Sequence, residues 1–159
     1  MFPKTKKSRQ GSRNTMYKVF LDTNILLDYL IVDRTGNPSA QRLMGLIVGD
    51  KLTGYISPLS LLNIFFILRK QLTEHERKEI IESFLEILEI IELDFDTLQM
   101  GLYIPVSDYQ DAIQYISATR ANVDFFITGD HQLQNYDLEL KRISAQDFLD
   151  IFDQGQDNP

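Results

Sequence analysis

A chain of 159 residues with 43% hydrophobic and 25% charged residues has room for one domain around one core, and this composition excludes a largely disordered or fibrous protein. It has no cysteine, which excludes disulfides, thiolate zinc sites and cysteine nucleophiles and is compatible with a reducing cytoplasm. The net charge of −7 is unevenly placed: five bases, Lys4, Lys6, Lys7, Arg9 and Arg13, precede Tyr17 with no acid among them, so the other 11 bases face all 23 acids, a net −12.

Residues 1–16 form a basic leader without the apolar stretch of a secretory signal. The leader reads either as a phosphate-binding arm or as a disordered start upstream of Met16. Tyr17 to Leu21 has the pattern of a buried strand that ends abruptly in Asp22, and Asn24 to Val32 reads as a helix carrying Leu26, Leu27, Leu30 and Ile31. Arg34 to Pro38 is a loop by its Gly, Asn and Pro content, and Ser39 to Val48 is a helix closed by Gly49 and Asp50. Leu52 to Ser57 is a short strand, and Pro58 suits the first turn of a helix running to Lys70. That helix is apolar nearly all round (Leu59, Leu61, Leu62, Ile64, Phe65, Phe66, Ile67, Leu68) and is expected to be the central buried one. Thr73 to Glu76 has the capping-box form and opens a charged amphipathic helix, Glu74 to Leu88. Ile90 to Leu93 is a third strand, and Asp96 to Tyr103 a short helix.

Ser107-Asp-Tyr-Gln110 has the form of a second capping box, for a helix through Arg120, and Val123 to Thr128 is a strand of high β propensity. Gly129 to Glu139 is a polar loop, Lys141 to Ser144 a short strand, Ala145 to Phe152 the last helix, and 154–159 a disordered tail. The domain is thus expected over 17–153. Strands alternating with helices predict an α/β fold, three layers α/β/α with a central, mainly parallel sheet, whose functional groups sit at the carboxyl ends of strands. No run approaches the roughly 18 apolar residues of a membrane span, so a soluble, cytoplasmic protein is expected.

Asp22 and Asp130 each follow a strand, and Asp108 and Asp111 stand at the start of a helix, three apart in sequence. If those edges meet, four acids converge. Carboxylates about 4 Å apart repel by roughly 4 kcal/mol per pair at an effective dielectric near 20, so the cluster needs a proton, a basic group or a divalent cation. No Lys or Arg adjoins Asp22, Asp111 or Asp130, and oxygen-rich sites favour Mg²⁺ or Mn²⁺. Such ions serve phosphodiester hydrolysis. Each acid also has a plainer reading: Asp22 as a helix cap, Asp108 and Asp111 as first-turn acids, Asp130 as a turn residue. An acidic body does not suit a duplex-DNA reader and leaves metal ions or a local basic patch as the route to nucleic acid. For substrate grip, Arg34, Arg42, Arg69, Lys70 and Arg120 are candidate phosphate contacts, and Tyr29, Tyr109 and Tyr115 candidate stacking residues. His131 adjoins Asp130 and reads as a surface loop residue.

The segments Phe20-Leu-Asp-Thr-Asn24, Ile56 to Phe65, Asp108 to Tyr115 with Ala118, and Asp124 to Asp130, in this order, resemble the PIN-domain family of nucleases. The resemblance implies a parallel sheet between helical layers and a Mg²⁺ or Mn²⁺ dependent endoribonuclease with Asp22, Asp111 and Asp130 as catalytic acids and metal ligands. It also implies support from Asn24 and Thr128. Many bacterial members resemble VapC proteins, the toxins of toxin-antitoxin pairs, which implies a single-stranded RNA substrate, an antitoxin partner and a homodimer. The family's usual second acid falls on Asn63, as in a PIN subgroup with an aromatic-rich helix there; Asp108 is then expected to restore the lost charge as a further metal ligand. Two alternatives remain: a PIN-like binding or scaffold module with weakened catalysis, motivated by Asn63, and a phosphohydrolase on a parallel sheet, which Asn24 disfavours in place of a second Asp.

Overall fold

The computed structural model describes residues 16–130 and 138–156. The strands are β1 (Lys18–Leu21), β2 (Thr53–Ile56), β3 (Glu89–Ile90), β4 (Phe125–Ile127) and β5 (Arg142–Ile143). They form one sheet in the order β3-β2-β1-β4-β5, and every pairing is parallel. Parallel neighbours require long crossovers. Here α1 (Thr23–Leu30) and α2 (Asn37–Val48) join β1 to β2, and α3 (Pro58–Ile67) and α4 (Glu74–Ile87) join β2 to β3. The next pair, α5 (Phe95–Met100) and α6 (Tyr109–Arg120), leads to β4, and α7 (Ala145–Gln156) follows β5.

The pleat divides the core in two. Val19 and Leu21 face a large cluster with Leu26, Leu43, Ile47, Phe84 and Phe148, whereas Phe20 faces a smaller one with Tyr115, Ile116 and Phe126. Helices therefore cover both faces of the sheet, as the alternation of strand and helix patterns predicts. β2 and β3 lie to one side of β1, and β4 and β5 to the other. The chain thus reverses direction across the β1/β4 seam, where α/β sheets open a crevice at their carboxyl ends. Asp22 and Asp130 follow the strands that flank this seam, and the Asp22 amide donates to the Ile127 carbonyl at 3.0 Å.

Several expectations need correction. α3 is not a central buried helix: it buries Ser60, Leu61 and Ile64 but leaves Leu62 67%, Phe66 60% and Ile67 41% exposed. It packs with one face only. α2 starts at Asn37, because Pro38 suits a first turn and the Asn37 side-chain amide donates to the Asp28 carbonyl. The box at Ser107 to Gln110 does not form; Asp108 is the cap, accepting from the Asp111 amide at 3.1 Å. The expected third strand shrinks to Glu89–Ile90 at the sheet edge, and α5 begins at Phe95 behind the cap Asp94. α7 continues through Gln156, past Phe152, with Asp153 tied to Arg42 on α2, so 154–156 are helix rather than tail. The leader up to residue 15, the stretch 131–137 with His131, and 157–159 lie outside the described residues. No helix among the described residues is long and apolar enough to cross a membrane.

Candidate metal centre

Asp22 occupies the N-cap position of α1 with an extended backbone, yet its side chain makes no capping hydrogen bond. The plain helix-cap reading therefore fails. Instead one Asp22 carboxylate oxygen, Oδ2, accepts from the Thr128 hydroxyl at 2.9 Å. Thr128 is fully buried, and its Oγ1 also accepts from the Asp130 amide at 3.0 Å. One hydroxyl thereby ties the end of β1 to the turn after β4. Burial pushes the Asp22 carboxyl up; the Thr128 hydrogen bond and the dipoles of the Thr23 and Asn24 amides draw it down, and the Asp130 charge adds to the rise.

The third segment brings Asp111. Half-buried on the first turn of α6, its carboxyl is pushed up to about 6, first by burial and then by the charges of Asp108, Asp22 and Asp130. All the charged groups that shift it are carboxylates. Asp108, Asp22 and Asp130 thus all raise the Asp111 carboxyl, and Asp130 also raises that of Asp22. They form a loose cluster. Among the described residues, no three acids close around a common cation position. The donor set is nevertheless all oxygen, which suits a hard divalent cation. Ser57 adds to that fit: β1 and β2 pair Phe20 with Tyr55, so continuing the register sets Ser57 beside Asp22, and its buried hydroxyl has no hydrogen-bond partner.

Asn63, on α3, reaches across to α6. Its side-chain amide donates to the Gln110 side chain at 3.0 Å, on the residue just before Asp111. One turn back, Thr23 donates to the Ser60 hydroxyl at 3.0 Å, and Ser60 donates to Gln114 at 3.4 Å. A ladder of neutral groups therefore links α1, α3 and α6 beside the acids. Gln110, Ser60 and Gln114 were missed by the sequence reading, although their i, i+3 and i, i+4 spacing on two helices is the signal that pairs them. Asn24 is exposed in the first turn of α1.

Most of the candidate substrate contacts have structural roles. Arg34 pairs with Asp28, Arg42 with Asp153 and Arg120 with Asp94. Tyr115 is buried and accepts from the Leu140 amide, Tyr29 packs near Phe84, and Tyr109 donates to the Leu98 carbonyl. Arg69 and Lys70 are left without a carboxylate among the described residues.

The PIN domain family model matches residues 18–132. A comparison with curated proteins by sequence finds no match. Among solved structures, this chain is similar to VapBC2 from Rickettsia felis bound to a DNA fragment from its promoter (TM-score 0.60, 16% identity, 80% of this chain and 98% of that one). It is also similar to DNA-bound VapBC from Salmonella typhimurium (0.61, 17%, 82% and 99%). A third is Mycobacterium tuberculosis VapC20, described as a toxin that cleaves the sarcin-ricin loop (0.58, 11%, 74% and 95%). At such identities these likenesses speak for the fold.

Proposed function

The chain belongs to the PIN-domain family, and from that premise we propose that it is a Mg²⁺ or Mn²⁺ dependent endoribonuclease acting on single-stranded RNA. The observation that carries this reading is that Thr128 ties Asp22 to the Asp130 turn, close enough to Asp111 that its carboxyl, pushed up to about 6 first by burial, is raised further by Asp108, Asp22 and Asp130. Carboxylates brought this close offer the oxygen ligands that a hard divalent cation takes. Asp22, Asp111 and Asp130, with Asp108, would hold it, and Asn24, Asn63 and Thr128 would support them. When bound, the ion would supply Lewis acidity and neutralise charge on the phosphate. The chain's own part is to orient these acids. Thr128 fixes the Asp22 carboxylate through its hydroxyl, and the Asp108 cap fixes the first turn of α6 that carries Asp111. Asp111 must shed its proton before it can bind a cation.

The test is cleavage of single-stranded RNA with Mn²⁺ or Mg²⁺. Activity is expected to disappear in Asp22→Asn and Asp111→Asn; variants that cleave like the parent would sink the assignment. The loose spacing of the acids and the engagement of Asn63 by Gln110 favour a second reading, a binding or scaffold module with weakened catalysis. A calorimetric Mn²⁺ titration separates the two, since binding that Asp22→Asn and Asp111→Asn abolish removes the second.

The likeness to toxin-antitoxin complexes supports a toxin role in the cytoplasm with an antitoxin partner. An open apolar groove of about 380 Å³ between α3 and α4, lined by Leu61, Leu62, Phe65, Ile81 and Leu85, has the character that accepts a partner's amphipathic helix. A homodimer is the expected assembly, and light scattering with and without the antitoxin tests both.

A further inference from the structure

α3 presents three faces. Ser60, Ile64 and the following Leu68 face the core, while Leu61, Leu62 and Phe65 line the apolar groove against α4. On α3, Asn63, Phe66 and Ile67 recur at i, i+3 and i+4 and form a third face, a stripe which borders the groove where Phe66 follows Leu62 by one turn. This stripe starts at the acids, since Asn63 bonds Gln110, the neighbour of Asp111. It continues to Lys70 in the short 3-10 turn, Leu68–Lys70, that follows α3.

The chemistry of the stripe is specific. Phe66 remains 60% exposed, and the Arg69 guanidinium lies over its ring at 3.6 Å from the centroid, held by a hydrogen bond to the Phe66 carbonyl at 2.8 Å. Lys70 has no carboxylate partner among the described residues. Three of the five candidate phosphate-binding cations are paired with acids, and the two that are not, Arg69 and Lys70, both stand here. In a body with a net charge of −12, this places an exposed aromatic ring beside two cations that have no carboxylate among the described residues.

Resting on the nuclease reading above, we propose that the Asn63–Phe66–Lys70 stripe is a nucleotide subsite: an unstacked base of single-stranded RNA packs on the Phe66 ring, and Arg69 and Lys70 hold the adjoining phosphates. The stripe leads the strand away from the acids and selects flexible over paired RNA, because only a free base can reach the ring. Base-on-aromatic stacking tolerates any base, so the subsite confers strandedness rather than sequence.

The test is fluorescence anisotropy with a labelled, unstructured oligo(U) of about 12 nucleotides, a length that spans one such binding surface. All proteins carry Asp22→Asn to prevent cleavage. Phe66→Ala is expected to weaken binding about tenfold and Phe66→Tyr to preserve it. Lys70→Ala should weaken binding and flatten its salt dependence by a slope of about 0.7. Val48→Ala, at an exposed position on α2, should bind as the parent does, and melting curves check that each variant is folded. Phe66→Ala and Lys70→Ala proteins that bind as the parent overturn the proposal. So does a loss of binding that appears only together with a change of molar mass in light scattering, which would make the stripe a protein contact. If the wild-type chain cleaves RNA while these variants bind normally, the stripe alone is removed; if it neither cleaves nor binds, the nuclease reading falls with it.

Discussion

Asp111 is the residue whose ionisation most directly reports the site. Its carboxyl, raised from an ordinary 3.8 to about 6, retains in the folded chain a proton that the unfolded chain releases at lower pH. Between about pH 4 and pH 6 the native state therefore binds more protons, and stability falls as pH rises through that window. Asp22, raised in the same direction by burial, contributes with the same sign. In metal-free protein, urea denaturation at pH 4.5 and 7 should show the parent losing more stability on the change to pH 7 than Asp111→Asn, which has no proton to lose. Cation binding needs the carboxylate form, so RNA cleavage should rise through about pH 6. Asp108 is the charge that adds most to the rise after burial. Asp108→Asn, which keeps a good helix cap, should thus move the midpoint to lower pH. An unchanged profile would mean that Asp111 does not take part.

At the scale of elements, the sequence made the strands and their order of function legible but not the helix contacts that aim the site. Asp22 and Asp130 could be placed at strand ends because each directly follows a run of β-forming apolar residues, and the parallel sheet then carries both to one edge. The cap of α6 was misread by one residue, since Ser107 and Asp108 both suit an N-cap and only the tertiary fold decides between them. That single step frees Gln110 from a box with Ser107 and turns it towards Asn63 on α3. The same limitation made α3 look central: a helix apolar on all sides gives no moment to show which face meets the sheet and which stays exposed. The Asn63–Gln110 contact carries its own prediction. Gln110→Leu should cost about 1 kcal/mol of stability. Adding Asn63→Leu should then cost little more, because both changes remove one interaction. Costs that simply add would show that the two amides are not coupled.

For the whole molecule, an acidic body of net −12 also brings Asp108, Asp22 and Asp130 close enough to Asp111 to raise its carboxyl. The core supplies enough burial on both sheet faces to hold those acids together, so the strain is electrostatic and a ligand can relieve it. A cation that binds the folded chain and not the unfolded one adds stability by mass action, about 2.7 kcal/mol at a hundredfold excess over its dissociation constant. For a domain of this size that corresponds to a rise of roughly 5–10 °C in Tm. Thermal melts at pH 7 with increasing Mn²⁺ should show this rise in the parent. It should be smaller at pH 5, where Asp111 is mostly protonated, and absent in Asp22→Asn and Asp111→Asn. Because the readout is the melting of the domain and not cleavage, it separates metal binding from catalysis. A parent whose Tm ignores Mn²⁺, or variants that respond as strongly as the parent, would place the cation elsewhere and leave the acid cluster without its ligand.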